Sequence, residues 1–180
     1  MNFGQLLILG AVVSGGGATA VLGRDYLADE SGDSEYARPL IGATALLLAS
    51  ALAYLTYQFV TTDYSNAYVW RNTADYLPLL YRVTGVYASN AGSILLWATL
   101  SAAVAAFAVS VRGVGDRATR LVYLVAMSVV TYFAGMLVLD SPFAPITTAF
   151  PDVPPGFTPA AGRGLNPLLV DPYMAIHPPV

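Results

Sequence analysis

Apolar residues gather along the chain into four stretches that are each long enough to cross a lipid bilayer. The stretches run over about 3–23, 39–60, 92–111 and 121–139. A membrane-spanning helix needs about 20 consecutive apolar residues. The pattern therefore predicts an all-α, polytopic membrane protein, organised as one membrane portion over residues 1–180. Outer segments over 61–91 and 141–180 are expected to be non-helical or only partly helical.

The first stretch has two interpretations, a cleaved signal peptide or a retained helix. Its leader, MNFGQ, carries no positive charge, and the run Gly15–Gly17 interrupts the apolar residues. Signal peptides begin with a positively charged region. A retained helix is therefore favoured, in which the glycines let another helix approach closely.

Composition supports the membrane class and excludes several others. The chain has 180 residues, 56% hydrophobic and 11% charged, with no cysteine and a net charge of −3. Without cysteine the chain cannot form a disulfide framework, a thiolate metal site or a catalytic thiol. No basic run is present, so nucleic acid is not a predicted partner, whereas the lipid bilayer is.

The arginines indicate an orientation for the four spans. The loop after the first span and the turn between the third and fourth spans hold Arg24, Arg38, Arg112, Arg117 and Arg120. Arg71, Arg82 and Arg163 lie on the opposite side. Because basic residues are enriched in cytoplasmic loops, both termini are predicted to lie outside the cytoplasm.

Both outer segments have unusual compositions. Seven of the twelve tyrosines fall between Tyr54 and Tyr87, and Trp70 lies among them. An interfacial aromatic belt is the simpler interpretation, and a functional surface is the alternative. The segment over 141–180 holds ten of the twelve prolines, so it cannot be helical for long and is either functional or a linker.

The only histidine, His177, stands before two prolines in HPPV. Proline is tolerated in the first turn of a helix, so the imidazole is expected just before a helix start, where the macrodipole disfavours its protonated form. A neutral imidazole is the form that binds metal, including haem iron. Asn166 and Asp171 are candidate hydrogen-bond partners for its other nitrogen. The alternative is a surface histidine that only caps a helix.

Two separate motifs carry a resemblance to a known family. GLNPLLVDPYMAIHPPV at 164–180 and the segment from Asp63 that ends in GSILLW at 92–97 are quoted as they stand. They resemble, in the same order, two extracytoplasmic segments of the CcmF family of cytochrome c-type biogenesis proteins. The resemblance covers residues 40–180, and the first span is compatible with it.

The resemblance implies a membrane haem lyase that joins haem vinyl groups to the thiols of a Cys-x-x-Cys-His motif in apocytochrome c. It implies that the haem, b-type before attachment, has His177 as an external axial ligand, with Trp97 near the haem edge. In this interpretation Arg82 and Arg163 are candidates for pairing with the haem propionates, because arginine matches a carboxylate bidentately, and contact with lipid headgroups is the alternative. A CcmE-like haem chaperone, a CcmH-like thiol-handling protein and apocytochrome c are the implied partners, at the cytoplasmic membrane.

The chain also departs from the family pattern. Tyr87–Ala91 reads YASNA where the family often has Trp-Gly-Gly followed by two further residues. The family's tryptophan-rich haem segment, its second external histidine and its intramembrane histidines are absent. The chain is therefore expected to be the N-terminal part of a lyase, inactive without the remaining portion, and its catalytic residues are unknown. A non-catalytic membrane scaffold or a transporter fragment is the alternative.

Overall fold

A computed structural model describes residues 1–28, 34–154 and 156–173 of the chain, and within them every regular element is a helix. In chain order the helices are α1 (Phe3–Leu27), α2 (Ala37–Val60), α3 (Ala67–Asn72), α4 (Leu79–Gly85), α5 (Asn90–Arg112) and α6 (Arg117–Leu139). Short 3-10 helices follow at Ile146–Thr148 and Pro167–Leu169.

The predicted all-α class with four spans is confirmed. Helices α1, α2, α5 and α6 are each long and apolar enough to cross a membrane, as judged by length and composition. They extend beyond the predicted bounds by up to four residues, since α1 continues to Leu27 and α6 begins at Arg117. The difference arises because polar residues that flank an apolar run can still be helical, so a helix can begin before the run and end after it.

Contacts group the chain into two compact units. The span unit contains Met1, Phe3–Leu52 and Leu95–Leu139. The loop unit contains Asn2, Ala53–Ile94 and the described residues between Asp140 and Tyr173. Helices α2 and α5 each contribute residues to both units, and the predicted site residues are divided between them.

Glycines of α1 make room for neighbouring helices within the span unit. A Cβ atom built on Gly15 would lie 2.7 Å from Thr131 Oγ1 of α6, and one on Gly17 would lie 3.5 Å from Leu40 Cδ1 of α2. Gly16, between them, has no neighbour within 4 Å. The expectation that this glycine run permits close helix approach is confirmed most directly at Gly15.

A buried arginine closes the turn between α5 and α6. Arg120 is 3% exposed, and its side chain donates to the carbonyl oxygens of Val114 at 3.2 Å and Asp25 at 3.4 Å. Asp25 in turn pairs with Arg24 at 2.8 Å. Arg120, one of the five arginines that set the predicted orientation, therefore also joins α1 to this turn, where its hydrogen bonds satisfy buried backbone carbonyls.

In the loop unit, the proline-rich segment after α6 returns along the residues before α3. Ile146 N–H donates to Ser65 O at 2.7 Å, and Ala67 N–H donates to Ala144 O at 2.9 Å. Phe143 is 1% exposed and stacks on Tyr54 with ring centroids 5.8 Å apart. The described part of this segment has two short 3-10 helices and helical backbone at residues 172–173, and is otherwise irregular, as its proline content predicts.

The aromatic residues of the loop unit divide into buried and exposed groups. Tyr64 and Tyr68 are 6% and 8% exposed, whereas Tyr57 and Tyr76 are 63% and 78% exposed. The buried pair contributes to packing within the unit. An interfacial aromatic belt stays a prediction for the exposed pair.

Candidate functional site

The segment over 162–165, which precedes the predicted ligand, lies against the end of α3. Arg163 N–H donates to Trp70 O at 2.9 Å, and Gly164 N–H donates to Thr73 O at 3.1 Å. Leu165 then enters a small buried cluster with Ala74 and Leu77. These contacts fix the start of the GLNPLL motif on the loop unit.

The two glycines that flank Arg163 are required by this close approach. A Cβ atom on Gly162 would lie 2.1 Å from Thr73 O, nearer than any real side chain comes to a carbonyl oxygen. Gly164 has a φ of +87°, and a Cβ atom there would lie 2.5 Å from Tyr76 Oη. Since other residues rarely adopt this φ, the sequence Gly-Arg-Gly is dictated by backbone geometry at both ends.

Asn166 and Asp171, the two predicted supporting residues, are both exposed and engaged with nearby backbone. Asn166 Oδ1 accepts from Leu168 N–H at 3.1 Å and so caps the 3-10 helix that begins at Pro167. Asp171 Oδ1 accepts from Tyr173 N–H at 2.8 Å. Both side chains therefore shape the loop locally, as short polar side chains commonly do.

His177 itself lies outside the described residues, which end at residue 173. Its role as an iron ligand, and the hydrogen bonds predicted for it from Asn166 or Asp171, stay predictions. The structure describes instead the segment that leads to it. That segment is anchored by backbone hydrogen bonds from Arg163 and Gly164 and by the buried Leu165.

Trp97, the third predicted supporting residue, belongs to the span unit. It lies two turns into α5, is 46% exposed and lines an apolar groove of about 410 Å³. The other lining residues come from α5 and α6: Leu100, Ser101, Val104, Ala126 and Val129. Asn166 and Asp171 belong to the loop unit, so the predicted supporting residues do not form one cluster within a unit.

The two arginines proposed for propionates have different surroundings. The Arg82 guanidinium donates to three backbone carbonyl oxygens, those of Leu77 at 3.0 Å, Val60 at 3.2 Å and Asp75 at 2.5 Å. The Arg163 guanidinium instead lies over the Trp70 ring, with its carbon 5.6 Å from the ring centroid. Arg82 therefore holds the loop unit together, whereas Arg163 is held at its surface.

Asn66 is a structural centre that the sequence reasoning missed. Its side chain is 4% exposed, and its Nδ2 donates to Gln58 Oε1 at 3.0 Å and to Pro142 O at 2.9 Å. Its Oδ1 accepts from Tyr68 N–H at 2.8 Å and caps α3. An asparagine directly before a helical run is a known start pattern, so this cap was recognisable in the sequence.

Tyr68 joins α3 to the start of α5. Its hydroxyl donates a hydrogen bond to Val86 O at 3.0 Å and accepts one from Gly92 N–H at 3.1 Å. A Cβ atom on Gly92 would lie 1.7 Å from Val86 O, so this glycine of the GSILLW motif has no room for a side chain. Burial raises the pKa of Tyr68 well above its usual range, because it disfavours the phenolate.

Metal binding by protein side chains alone is not indicated in the part of the chain that the structure describes. No group of three or more histidine, cysteine, aspartate or glutamate side chains comes together there. The structure gives a defined position to the Gly-Arg-Gly stretch at the start of the GLNPLL motif. Backbone hydrogen bonds hold this stretch on α3, and the Arg163 guanidinium lies over the Trp70 ring.

Comparison with known proteins gives consistent matches. The cytochrome c-type biogenesis protein CycK of Rhizobium meliloti is 39% identical over 140 residues, which is 75% of this chain and 19% of that protein. The biogenesis protein ccl1 of Rhodobacter capsulatus is 36% identical over 83% of the chain and 22% of its own length. CcmF of Escherichia coli is 34% identical over 74% of the chain and 20% of its own length.

A solved structure gives the same result. The chain named cytochrome c haem lyase CcmF superposes with a TM-score of 0.68 and 26% sequence identity, over 79% of this chain and 24% of that one. No protein-family model matches. The chain thus spans about a fifth of the length of the curated relatives it matches.

Proposed function

Since the chain is a CcmF-type portion, homologous to CcmF and CycK over most of its residues, we propose that it forms part of a membrane haem lyase. Its task is to hold haem at the outer membrane face for covalent attachment to apocytochrome c. The single observation that carries the proposal is the match to a solved haem lyase over 79% of the chain at a TM-score of 0.68.

His177 is the proposed axial ligand to the haem iron, with Asn166 and Asp171 supporting it and Trp97 contributing an aromatic contact. The anchoring of 162–165 on α3 supports this assignment, because a ligand must be held in place by the segment that carries it. Asn166 and Asp171 already order the backbone of the loop between that anchor and the histidine.

The described residues fit a planar, anionic group at one place in the loop unit. Arg163 presents a guanidinium over Trp70, a pairing that suits the carboxylates of a porphyrin. Arg82 does not fit this role, because three carbonyl oxygens already accept its donors. Haem, when bound, supplies the vinyl groups that react, and apocytochrome c supplies the thiols, since this chain has no cysteine.

We assign no catalytic residue to this chain. Its relatives are about five times longer, so the lyase activity is proposed for the chain together with the remaining portion of a CcmF-type protein. A CcmE-like haem chaperone and a CcmH-like thiol-handling protein are the further proposed partners. The proposed location is the cytoplasmic membrane with both termini outside, following the five-to-three arginine distribution.

The test is complementation in a strain that lacks its haem lyase. The chain is co-expressed with the remaining portion of a CcmF-type protein, and covalent haem in a reporter cytochrome c is measured by haem staining. We expect His177→Ala to abolish attachment, because the iron loses its ligand, while Leu168→Ala, an exposed residue of the same motif, leaves attachment unchanged. Equal attachment by the His177→Ala variant and the wild type would remove the ligand assignment and favour a non-catalytic scaffold.

A further inference from the structure

We propose that Arg163, whose guanidinium lies over the Trp70 ring, is a carboxylate-binding subsite that takes a propionate group of haem. The inference rests on the proposed function and adds a binding residue to it. The structure selects Arg163 over Arg82, although the sequence alone gave no reason to prefer either. Three independent features of the loop unit carry the proposal.

The first feature is the way the backbone presents Arg163. Gly162 has no room for a side chain against Thr73 O, and Gly164 has a φ of +87° that other residues rarely adopt, so Arg163 is the one side chain in this three-residue stretch. Hydrogen bonds to α3 from the N–H groups of Arg163 and Gly164 fix the stretch on both sides of the arginine Cα. Such fixing reduces the entropy that the arginine would lose on binding an anion.

The second feature is the ring beneath the guanidinium. Trp70 is itself held by an edge-to-face contact with Phe150, whose centroid lies 4.8 Å away, and Phe150 contacts Phe157 at 5.7 Å. The Arg163 guanidinium carbon lies 5.6 Å from the Trp70 centroid, within the distance of a cation–π contact, and the guanidinium carries its N–H donors in a planar fork. That fork matches the two oxygens of a carboxylate.

The third feature is the absence of a carboxylate partner within the described residues. The ion pair found there joins Arg24 and Asp25 of the span unit. In the loop unit, Arg82 is committed to carbonyl oxygens, and Arg71 is exposed on α3 with no aromatic ring of the described residues stacked on it. Arg163 therefore combines a fixed position with donors that no described carboxylate accepts.

The experiment compares haemin with its dimethyl ester, in which both propionates are neutral. The chain is co-expressed with the remaining portion of a CcmF-type protein and purified in a neutral detergent, so that no lipid phosphate competes. Binding is followed by titration of the Soret band. We expect the wild type to bind haemin about fivefold more tightly than the ester, the size expected for an exposed bidentate pair.

The variants Arg163→Gln and Arg163→Lys test the residue, and Arg71→Gln is the matched control. Arg163→Gln is expected to bind haemin and the ester equally, whereas Arg163→Lys keeps part of the preference and Arg71→Gln keeps all of it. A purely structural arginine would change the affinities for both ligands together. A full preference for haemin in Arg163→Gln, or none in the wild type, would overturn the inference.

Failure of this inference and failure of the proposed function give different results. If the wild type shows no saturable Soret change with either ligand, the proposed function fails and the inference fails with it. If the wild type binds and His177→Ala loses the spectrum of histidine-ligated iron while Arg163→Gln keeps the preference, only the inference fails. Should Arg163→Gln not fold, the ester comparison in the wild type and in Arg163→Lys decides.

Discussion

The span unit and the loop unit are held together by different kinds of contact. In the span unit, helices approach through glycines such as Gly15, and the Thr44–Ser14 hydrogen bond joins α1 to α2 at 2.9 Å. In the loop unit, side chains such as Asn66 and Tyr68 hydrogen-bond to backbone groups of distant segments. Close helix approach needs only a small residue at the contact, so several residue types would serve there. The hydrogen bonds of the loop unit instead require particular side chains.

This difference explains where the candidate chemistry lies. The outward surfaces of the span helices are apolar, as the exposed Phe107 and Val122 illustrate, and suit lipid or another apolar helix. The loop unit instead offers an exposed guanidinium on a fixed ring and a backbone ordered by caps and glycines. Binding residues commonly lie on loops that a rigid scaffold positions, and here the scaffold is α3 with its hydrogen bonds.

The largest expected effect comes from replacing a glycine in each unit. Gly92→Ala places a methyl group against Val86 O in the loop unit, so we expect a loss of about 3 kcal/mol or more in stability, or failure to fold. Gly42→Ala in the span unit meets no atom within 4 Å and is the matched control, expected to be neutral or slightly stabilising. Thermal unfolding in neutral detergent measures both, and equal midpoints would contradict the close approach at Gly92.

A smaller effect is expected from Tyr68→Phe, which removes the hydroxyl between Val86 O and Gly92 N–H. Leaving these groups without a partner costs about 1–2 kcal/mol at neutral pH. The control is Tyr76→Phe, whose side chain is 78% exposed. Tyr76→Phe should unfold at the same temperature as the wild type. A Tyr68→Phe unfolding midpoint equal to that of Tyr76→Phe would argue against the buried hydroxyl bridge.

The same tyrosine gives the loop unit a dependence on alkaline pH. Because burial raises the pKa of Tyr68 in the folded state, the unfolded chain releases the phenol proton first. The contribution is fully present below about pH 10 and is lost as pH rises above that value. The wild type should therefore lose more stability than Tyr68→Phe between pH 9 and pH 11, and parallel curves would contradict the assignment.

The smallest effect is expected in the span unit, from Thr44→Val. This change keeps the shape of the buried side chain and removes its hydrogen bonds to Ser14 Oγ and Leu40 O. Hydrogen bonds between transmembrane helices contribute about 0.6 kcal/mol on average. Ser14 keeps its own bond to Gly10 O, so a midpoint shift of a few degrees at most is predicted, and a larger shift would show that this pair organises the span unit.

The four spans could be predicted from the sequence because apolar length is a local property of the chain. The short helices α3 and α4 carry weaker local patterns, of which the Asn66 cap is the clearest. The return of Phe143–Ile146 along Ser65–Ala67 depends on hydrogen bonds between segments about 80 residues apart, which no local pattern encodes. The position of Arg163 over Trp70 arises in the same way, because these residues are distant in sequence, whereas the carbonyl partners of Arg82 lie 5, 7 and 22 residues away.

The proposed function requires that the loop unit lies outside the cytoplasm, and cysteine labelling in intact cells tests this requirement most directly. The chain has no cysteine, so single substitutions report without background. Asp152→Cys lies on an exposed residue after α6, and Gly115→Cys lies on an exposed residue in the turn between α5 and α6. The account predicts that a membrane-impermeant maleimide labels Asp152→Cys in intact cells and Gly115→Cys only after lysis. The reverse pattern would place the loop unit in the cytoplasm and contradict the proposed function.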